Sequence, residues 1–419
     1  MKYYSKIISI IHNHRTIIEN LSFLSILQVF NLILPLLTYP YLFHVLGKSI
    51  YGLVVYAQAT MALFAILINY GFNISATRDV SVNRTNNEKL NEIVSVVYII
   101  KTLLLIVCLG LLYFIVSLIP FFNKYFLLYF FTSSILLYET FFPIWFFQGL
   151  EKMKYITIIN LIAKGSFTVL IFILVKDKND YLIIPLLNGF GALISSVIAC
   201  YIIFSVHKIK FFFPNLRLIN LTLKESFSFF LSRSISVAVN KMNTFLIGLF
   251  LTFTDVAYYD LAIKINDLCK IPTILINQTI YPDIARTKNI KFVLKVIKYN
   301  LILSIILWLT IFLFTDKIIM FFGSVGVVKL KYVINLLNLT TIISGISYFL
   351  GNTILVVLGH MYEFNISIIY QSILYFVIIG CLYFLNQIGL YQLTLTIVFI
   401  TFFEMLFRII SIKKLKIVF

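Results

Sequence analysis

Apolar stretches long enough to cross a bilayer follow one another almost without pause along this chain. They lie near 21–46, 51–73, 93–117, 126–148, 155–175, 182–206, 227–253, 257–282, 296–315, 332–357, 364–385 and 391–412. About 20 apolar residues in helical form cover roughly 30 Å of hydrocarbon. Inside hydrocarbon every backbone N–H and C=O needs a protein partner, so only helices and closed barrels can span it. The runs here are continuous rather than alternating, which excludes a barrel. An all-α integral membrane protein of about twelve transmembrane helices is the fold class that follows.

Composition agrees. Hydrophobic residues make up 61% of the 419 and charged residues 12%, against about 45–50% and about 25% in soluble domains. The four cysteines, Cys108, Cys200, Cys269 and Cys381, fall inside apolar runs without metal-ligand spacing and read as small buried hydrophobes. Lys2, Lys6 and Arg15 precede the first run, which continues to Leu46 without a small-residue cleavage site. That run is expected to stay as the first span. The net charge of +18 is explained by loop lysines and arginines that orient the helices, and no nucleic-acid partner is expected.

An even number of spans puts both termini on one side. That side collects Lys2, Lys6, Arg15, Arg78, Arg84, Lys89, Lys152, Lys154, Lys208, Lys210, Arg217 and Lys224, and later Arg286 to Lys298 and Arg408 to Lys416. The opposite side has only Lys48, Lys124, Lys176, Lys178, Lys317, Lys329 and Lys331. The positive-inside rule therefore predicts cytoplasmic termini. The longest internal polar connection, near residues 207–226, divides an N-terminal six-helix lobe (1–206) from a C-terminal one (227–419). A weak repeat points the same way: Ile66–Asn69 matches Ile274–Asn277, Tyr51 matches Tyr259, and Arg78 matches Arg286. Two like-oriented lobes suit a rocking transporter with its binding site between them.

Charges inside the spans carry the functional signal. Basic residues there are Lys101, Lys164, Arg233, Lys241, Lys264 and Lys270, and acids are Glu139, Asp260, Asp267 and Glu404. Each costs about 2.5–3.5 kcal/mol at the membrane centre, so each should face protein or water. A rise of about 1.5 Å per residue predicts two cationic tiers, Arg233 with Lys270 and Lys241 with Lys264. Asp260–Lys264 and Asp267–Lys270 have the spacings that let helical neighbours meet. Arg233, Ser236 and Asn240 share a face in span 7, with Lys241 beside it. Gln28, Asn31 and Thr38 of span 1 with Asn69 and Asn73 of span 2 supply further polar lining. Blander readings stand beside these. Arg78 fits an orientation anchor, Lys101 and Lys164 fit snorkelling lysines, Asp260–Lys264 fits a structural ion pair, and Glu404 fits an interfacial acid.

No G-x-x-x-x-G-K-[ST] loop and no H-E-x-x-H occurs, and the five histidines are scattered. No cofactor, no metal and no enzymatic activity are expected.

Several segments resemble a known family. Gln28–Gly52 (QVFNLILPLLTYPYLFHVLGKSIYG), Tyr70–Arg84 (YGFNISATRDVSVNR) and Phe142–Ile156 (FPIWFFQGLEKMKYI) resemble the Wzx-type O-antigen and polysaccharide flippases of the MOP (multidrug/oligosaccharidyl-lipid/polysaccharide) exporter superfamily. Asn243–Phe250 and Ala257–Pro282 fit more loosely, so the likeness covers roughly residues 21–290. The resemblance implies a MOP/MATE-like bundle in the bacterial inner membrane. Its substrate would be an undecaprenyl-pyrophosphate-linked oligosaccharide, moved from the cytoplasmic to the periplasmic leaflet by alternating access. Membrane lipid, a polysaccharide polymerase and a chain-length regulator are the other implied partners. Arg233, Lys270, Lys241, Lys264 and Arg78 would hold the pyrophosphate, with Asp260 and Asp267 available for ion coupling. The family pattern has an acid directly before the span-8 lysine, whereas here Ile263 precedes Lys264 and Asp260 lies one turn back. Which acid pairs with Lys264 stays open at this level. A cation or drug antiporter of the same superfamily and a membrane-embedded polymerase or ligase are the rival readings.

Overall fold

The computed structural model describes residues 15–322 and 327–417, without the side chains of 15–18, 21, 232, 233, 236 and 282. Among the described residues there is helix and no strand. The α-helices are α1 (Arg15–Val45), α2 (Lys48–Asn69), α3 (Phe72–Val82), α4 (Asn87–Leu118), α5 (Pro120–Asn123), α6 (Phe126–Thr132), α7 (Ser134–Phe141), α8 (Ile144–Gly149), α9 (Met153–Leu174) and α10 (Ile183–Tyr201). They continue with α11 (Leu216–Phe250), α12 (Phe253–Thr287), α13 (Ile290–Phe321), α14 (Val328–Tyr348), α15 (Met361–Phe384) and α16 (Leu390–Lys414).

Ten segments among the described residues are long and apolar enough to cross a membrane. Of the twelve expected spans, the two outside that set are α11 and α12, which carry Lys241, Asp260, Lys264, Asp267 and Lys270. Only Val237–Phe250 of α11 is apolar, and it is short. Large side chains such as Ile106, Phe114, Phe130, Val169 and Leu313 are exposed, as lipid-facing positions must be.

The chain divides into two units. The first holds Met1–Leu34, Met61–Lys176 and Leu182–Ser234, and the second Pro35–Thr60, Asp177–Tyr181 and Ile235–Phe419.

In the first unit Trp145, Phe146 and Phe147 of α8 form the centre of the core, packed with Phe72, Val94, Val97 and Ile203. Pro143 lies between α7 and α8, where a residue without an N–H ends one helix and opens another. This break turns three consecutive aromatic rings inward.

In the second unit α12 begins with a capping box. Thr252 accepts from the Asp255 N–H, and the Asp255 carboxylate accepts from the Thr252 N–H, which satisfies donors that a helix start leaves orphaned. The start of α12 approaches α2 so closely that a Cβ on Gly52 would lie 1.7 Å from the Phe253 carbonyl oxygen. Gly248 of α11 likewise meets the Tyr56 ring, with 2.1 Å to a built Cβ. Small residues let membrane helices reach this contact, where dispersion replaces the missing hydrophobic force. Farther along α12 the buried Asn266 amide donates to the Leu337 carbonyl and the Thr341 hydroxyl of α14, at 3.1 Å each. Thr273 on α12 donates to Asn300 of α13 at 3.0 Å.

Candidate functional site

A polar cavity of about 460 Å³ lies within the second unit. Ligand sites typically occupy about 300–1,000 Å³. Tyr259, Asp260, Ile263, Asn266, Asp267 and Lys270 of α12 line it, positions that recur every three or four residues and so share one helical face. Asn240, Lys241 and Thr244 come from α11, Gln58 from α2 and Thr340 from α14.

The charges are unevenly paired. Asp267 has Lys270 and then Lys241 as its favourable electrostatic neighbours. Lys241 is exposed to the cavity and Lys270 is half-buried. Lys241 thus shares its space with Lys270, whereas depth paired it with Lys264.

Lys264 lies outside the lining and its bonds are already made. Its ammonium pairs with the Asp260 carboxylate and donates to the Tyr51 hydroxyl at 2.6 Å. The rings of Tyr39 and Tyr51 stand 5.3 and 5.4 Å from the same nitrogen, within cation–π range. Tyr51 in turn donates to Asp260 at 2.8 Å, and Tyr39 donates to the Ala257 carbonyl at 3.2 Å. The acid that pairs with Lys264 is therefore Asp260, one turn back. Three lysines against two aspartates leave this cluster with one net positive charge.

Other expected site residues fall elsewhere. Arg233 and Ser236 lie outside the described residues. Arg78 belongs to the first unit, exposed, 2.8 Å from Asp79 and over the Phe229 ring at 5.6 Å. Asn69 donates to Glu139 at 2.5 Å, and its oxygen accepts from the Asn73 N–H at 3.4 Å. Asn31 accepts from Lys164 at 2.7 Å. Gln28 is partly buried on α1. Thr38, in the second unit, donates to the Pro35 carbonyl at 3.2 Å.

Lys101 does not snorkel. It is 1% exposed and donates to the Glu139 carbonyl at 2.6 Å. Arg408, expected among the orientation residues, is buried, with the half-buried Glu404 beside it. The two pair at 2.6 Å, and Arg408 also reaches Ser347 and Ser367. Sequence reasoning missed Gln58, Tyr51, Tyr39, Asn266 and Thr340. A lone glutamine inside the apolar run of α2 was the one available signal for Gln58. Among the described residues no group of three or more His, Cys, Asp or Glu could hold a metal.

Comparison with known proteins gives a consistent picture. The family described as "Polysaccharide biosynthesis protein" matches residues 17–288. A protein of Escherichia coli (strain K12) called "Putative O-antigen transporter" is 27% identical over 66% of this chain and 66% of its own length. One of Shigella dysenteriae with the same name is 28% identical over 65% of this chain and 69% of its own. This chain thus spans about two-thirds of the length of the relatives it matches. Among solved structures, the lipid II flippase MurJ in an inward closed conformation superposes with a TM-score of 0.74 at 18% identity, covering 93% of this chain and 87% of that one. An inward-facing multidrug resistance MATE transporter of the MOP superfamily gives 0.65 at 12% identity, covering 91% and 97%. At such identities the likeness shows the fold, which is MATE- and MurJ-like.

Proposed function

We propose, from the premise that this chain belongs to the polysaccharide biosynthesis protein family, that it is a flippase for undecaprenyl-pyrophosphate-linked oligosaccharides. It would carry an O-antigen or related repeat unit from the cytoplasmic to the periplasmic leaflet of the bacterial inner membrane. The observation that carries the reading is the polar cavity with Lys241 and Lys270 in its wall. A pyrophosphate cannot enter hydrocarbon unpaired, and two ammonium groups in a confined polar space give it charge-assisted partners. Asp267 is the electrostatic neighbour of both lysines, and incoming phosphates would compete with it for their charge. Asp260 stands in the same relation to Lys264. Protonation of Asp260 or Asp267 would release a lysine and couple the cycle to an ion gradient. Arg233 and Arg78 complete the cationic set in this reading, Gln28, Asn31, Thr38, Asn69, Asn73, Ser236 and Asn240 solvate the sugars, and a polymerase and a chain-length regulator act on the product. The division into lobes at 207–226 and the cytoplasmic termini belong to the same proposal.

A cation or drug antiporter shares the fold. It would need a net-negative cavity, whereas the lining here balances Lys241 and Lys270 against Asp260 and Asp267.

The test replaces Lys241 and Lys270 by alanine together in cells that lack any other copy. Surface polysaccharide is then measured at matched protein abundance. Loss of polymer is expected, and normal polymer would overturn the reading. Purified protein should bind undecaprenyl pyrophosphate more weakly as salt rises. Undecaprenol bound equally well would contradict it.

A further inference from the structure

Lys164 is exposed on a helical face that is otherwise buried. On α9 the exposed apolar residues Ile158, Ile162, Val169 and Ile173 recur at helical spacing and mark the lipid side. Lys164 follows Ile162 by two residues, about 200° around the helix. Its own neighbours one and two turns away are Thr157, Asn160, Thr168 and Ile171, all buried. Lys164 nevertheless remains exposed. It sits roughly 15 Å from either end of α9, counting about 1.5 Å per residue, too deep for a lysine to reach the interface by snorkelling.

The ammonium is held by Asn31 of α1 at 2.7 Å. Asn31 lies away from the lipid face of α1, which Ile26, Ile33 and Leu37 define by their exposure. Gln28, three residues earlier, shares its side of the helix. Thr157 donating to the Phe23 carbonyl at 3.0 Å ties the same two helices together. An exposed lysine with one neutral partner, turned from lipid at mid-membrane depth, requires water or an anion beside it. Its charge faces no acid in any ion pair among the described residues.

We propose that Lys164, with Asn31 and Gln28, is an anion-binding station in the first unit, and that it takes the phosphate groups of the transported lipid. This rests on the flippase reading given above. Asn31 positions the ammonium, and Gln28 offers an amide to the phosphate or to the first sugar.

Binding of undecaprenyl pyrophosphate by purified protein in nanodiscs tests this with Lys164→Ala, Lys164→Arg and Lys270→Ala. Lys164→Ala should weaken binding about tenfold, the loss of one charge-assisted contact, and Lys164→Arg should keep most of the affinity. If Lys270→Ala weakens binding and Lys164→Ala does not, the station falls while the flippase reading stands. If neither does, both fall. Dioleoyl phosphatidic acid separates the sources of phosphate: an equal dependence on Lys164 for that lipid overturns the assignment to the transported one. An accessibility measurement keeps the idea falsifiable should the alanine variant misfold. In a chain stripped of Cys108, Cys200, Cys269 and Cys381, a charged thiol reagent should modify Lys164→Cys and leave Ile162→Cys unmodified. Equal protection of both positions shows a dry face and ends the proposal.

Discussion

The Tyr51 hydroxyl donates to the Asp260 carboxylate at 2.8 Å, across a gap of 209 residues in the chain. That one bond joins α2 to α12 at the wall of the polar cavity and decides the fate of Lys264. With Asp260 and Tyr51 both engaged, the ammonium has two polar partners and two aromatic faces, and it stays out of the cavity until one partner leaves.

Tyr51→Phe should loosen this cluster. The carboxylate loses a donor and Lys264 an acceptor, while the ring keeps its packing. A destabilisation of about 1–2 kcal/mol is expected for a mostly buried polar group left short of a partner. Thermal unfolding in detergent reads it, and a cycle with Asp260→Asn should give non-additive losses. Additive losses would mean the two side chains act independently.

Close helix contact makes a different demand. Gly52→Ala pushes a methyl into the Phe253 carbonyl, where a Cβ would sit 1.7 Å away. Backbone cannot retreat as a side chain can, so the helices must separate, at a cost of about 2 kcal/mol or more. Membrane abundance and melting temperature should both fall. Gly110→Ala, with nothing within 4 Å of its Cβ, should leave both unchanged and serves as the control.

Arg408 is expected to be costly to remove. Its side chain and that of Glu404 are 6% and 14% exposed, so Arg408→Ala strands a mostly buried carboxylate. Breaking such a pair costs about 3–5 kcal/mol. Glu404→Gln combined with Arg408→Met should recover much of the loss in a melting assay. A double variant no better than Arg408→Ala would show that the arginine acts through Ser347, Ser367 and the Phe364 ring, 5.0 Å from its guanidinium, rather than through Glu404.

His207, beyond the end of the sixth span, predicts a pH dependence. Burial first, and then Lys152, lowers its imidazole below the usual value of about 6.5. Its ring sits edge-on to Phe146 at 5.5 Å and to Tyr155 at 6.4 Å. A base depressed in the folded state binds its proton first when unfolded. Its contribution is therefore complete above about pH 6.5 and is lost as pH falls below that towards the folded value. The melting temperature should drop over this window in the native chain, and His207→Gln should flatten the drop. Equal slopes in the two proteins would remove His207 from the acid response.

Part of the charged cluster is legible in the sequence. A lysine inside an apolar run is conspicuous whatever surrounds it, and helical spacing alone put Asp260 within reach of Lys264. Lys101 shows where such reading stops. Its depth was plain, yet snorkelling and burial predict the same residue at the same position, and only the Glu139 carbonyl beside it decides between them. Arg408 shows the same limit near a helix end.

The amino-acid order alone determined that this chain lives in a bilayer as a helix bundle, because hydropathy is summed locally over one span and lipid permits nothing but paired backbone. It also determined which helices carry charge. Tertiary structure decided which charges are free. Pairing depends on how each helix is rotated and on what another helix, hundreds of residues away, brings to the same depth. Tyr51, an ordinary aromatic in its own segment, acquires its role only where α2 meets α12.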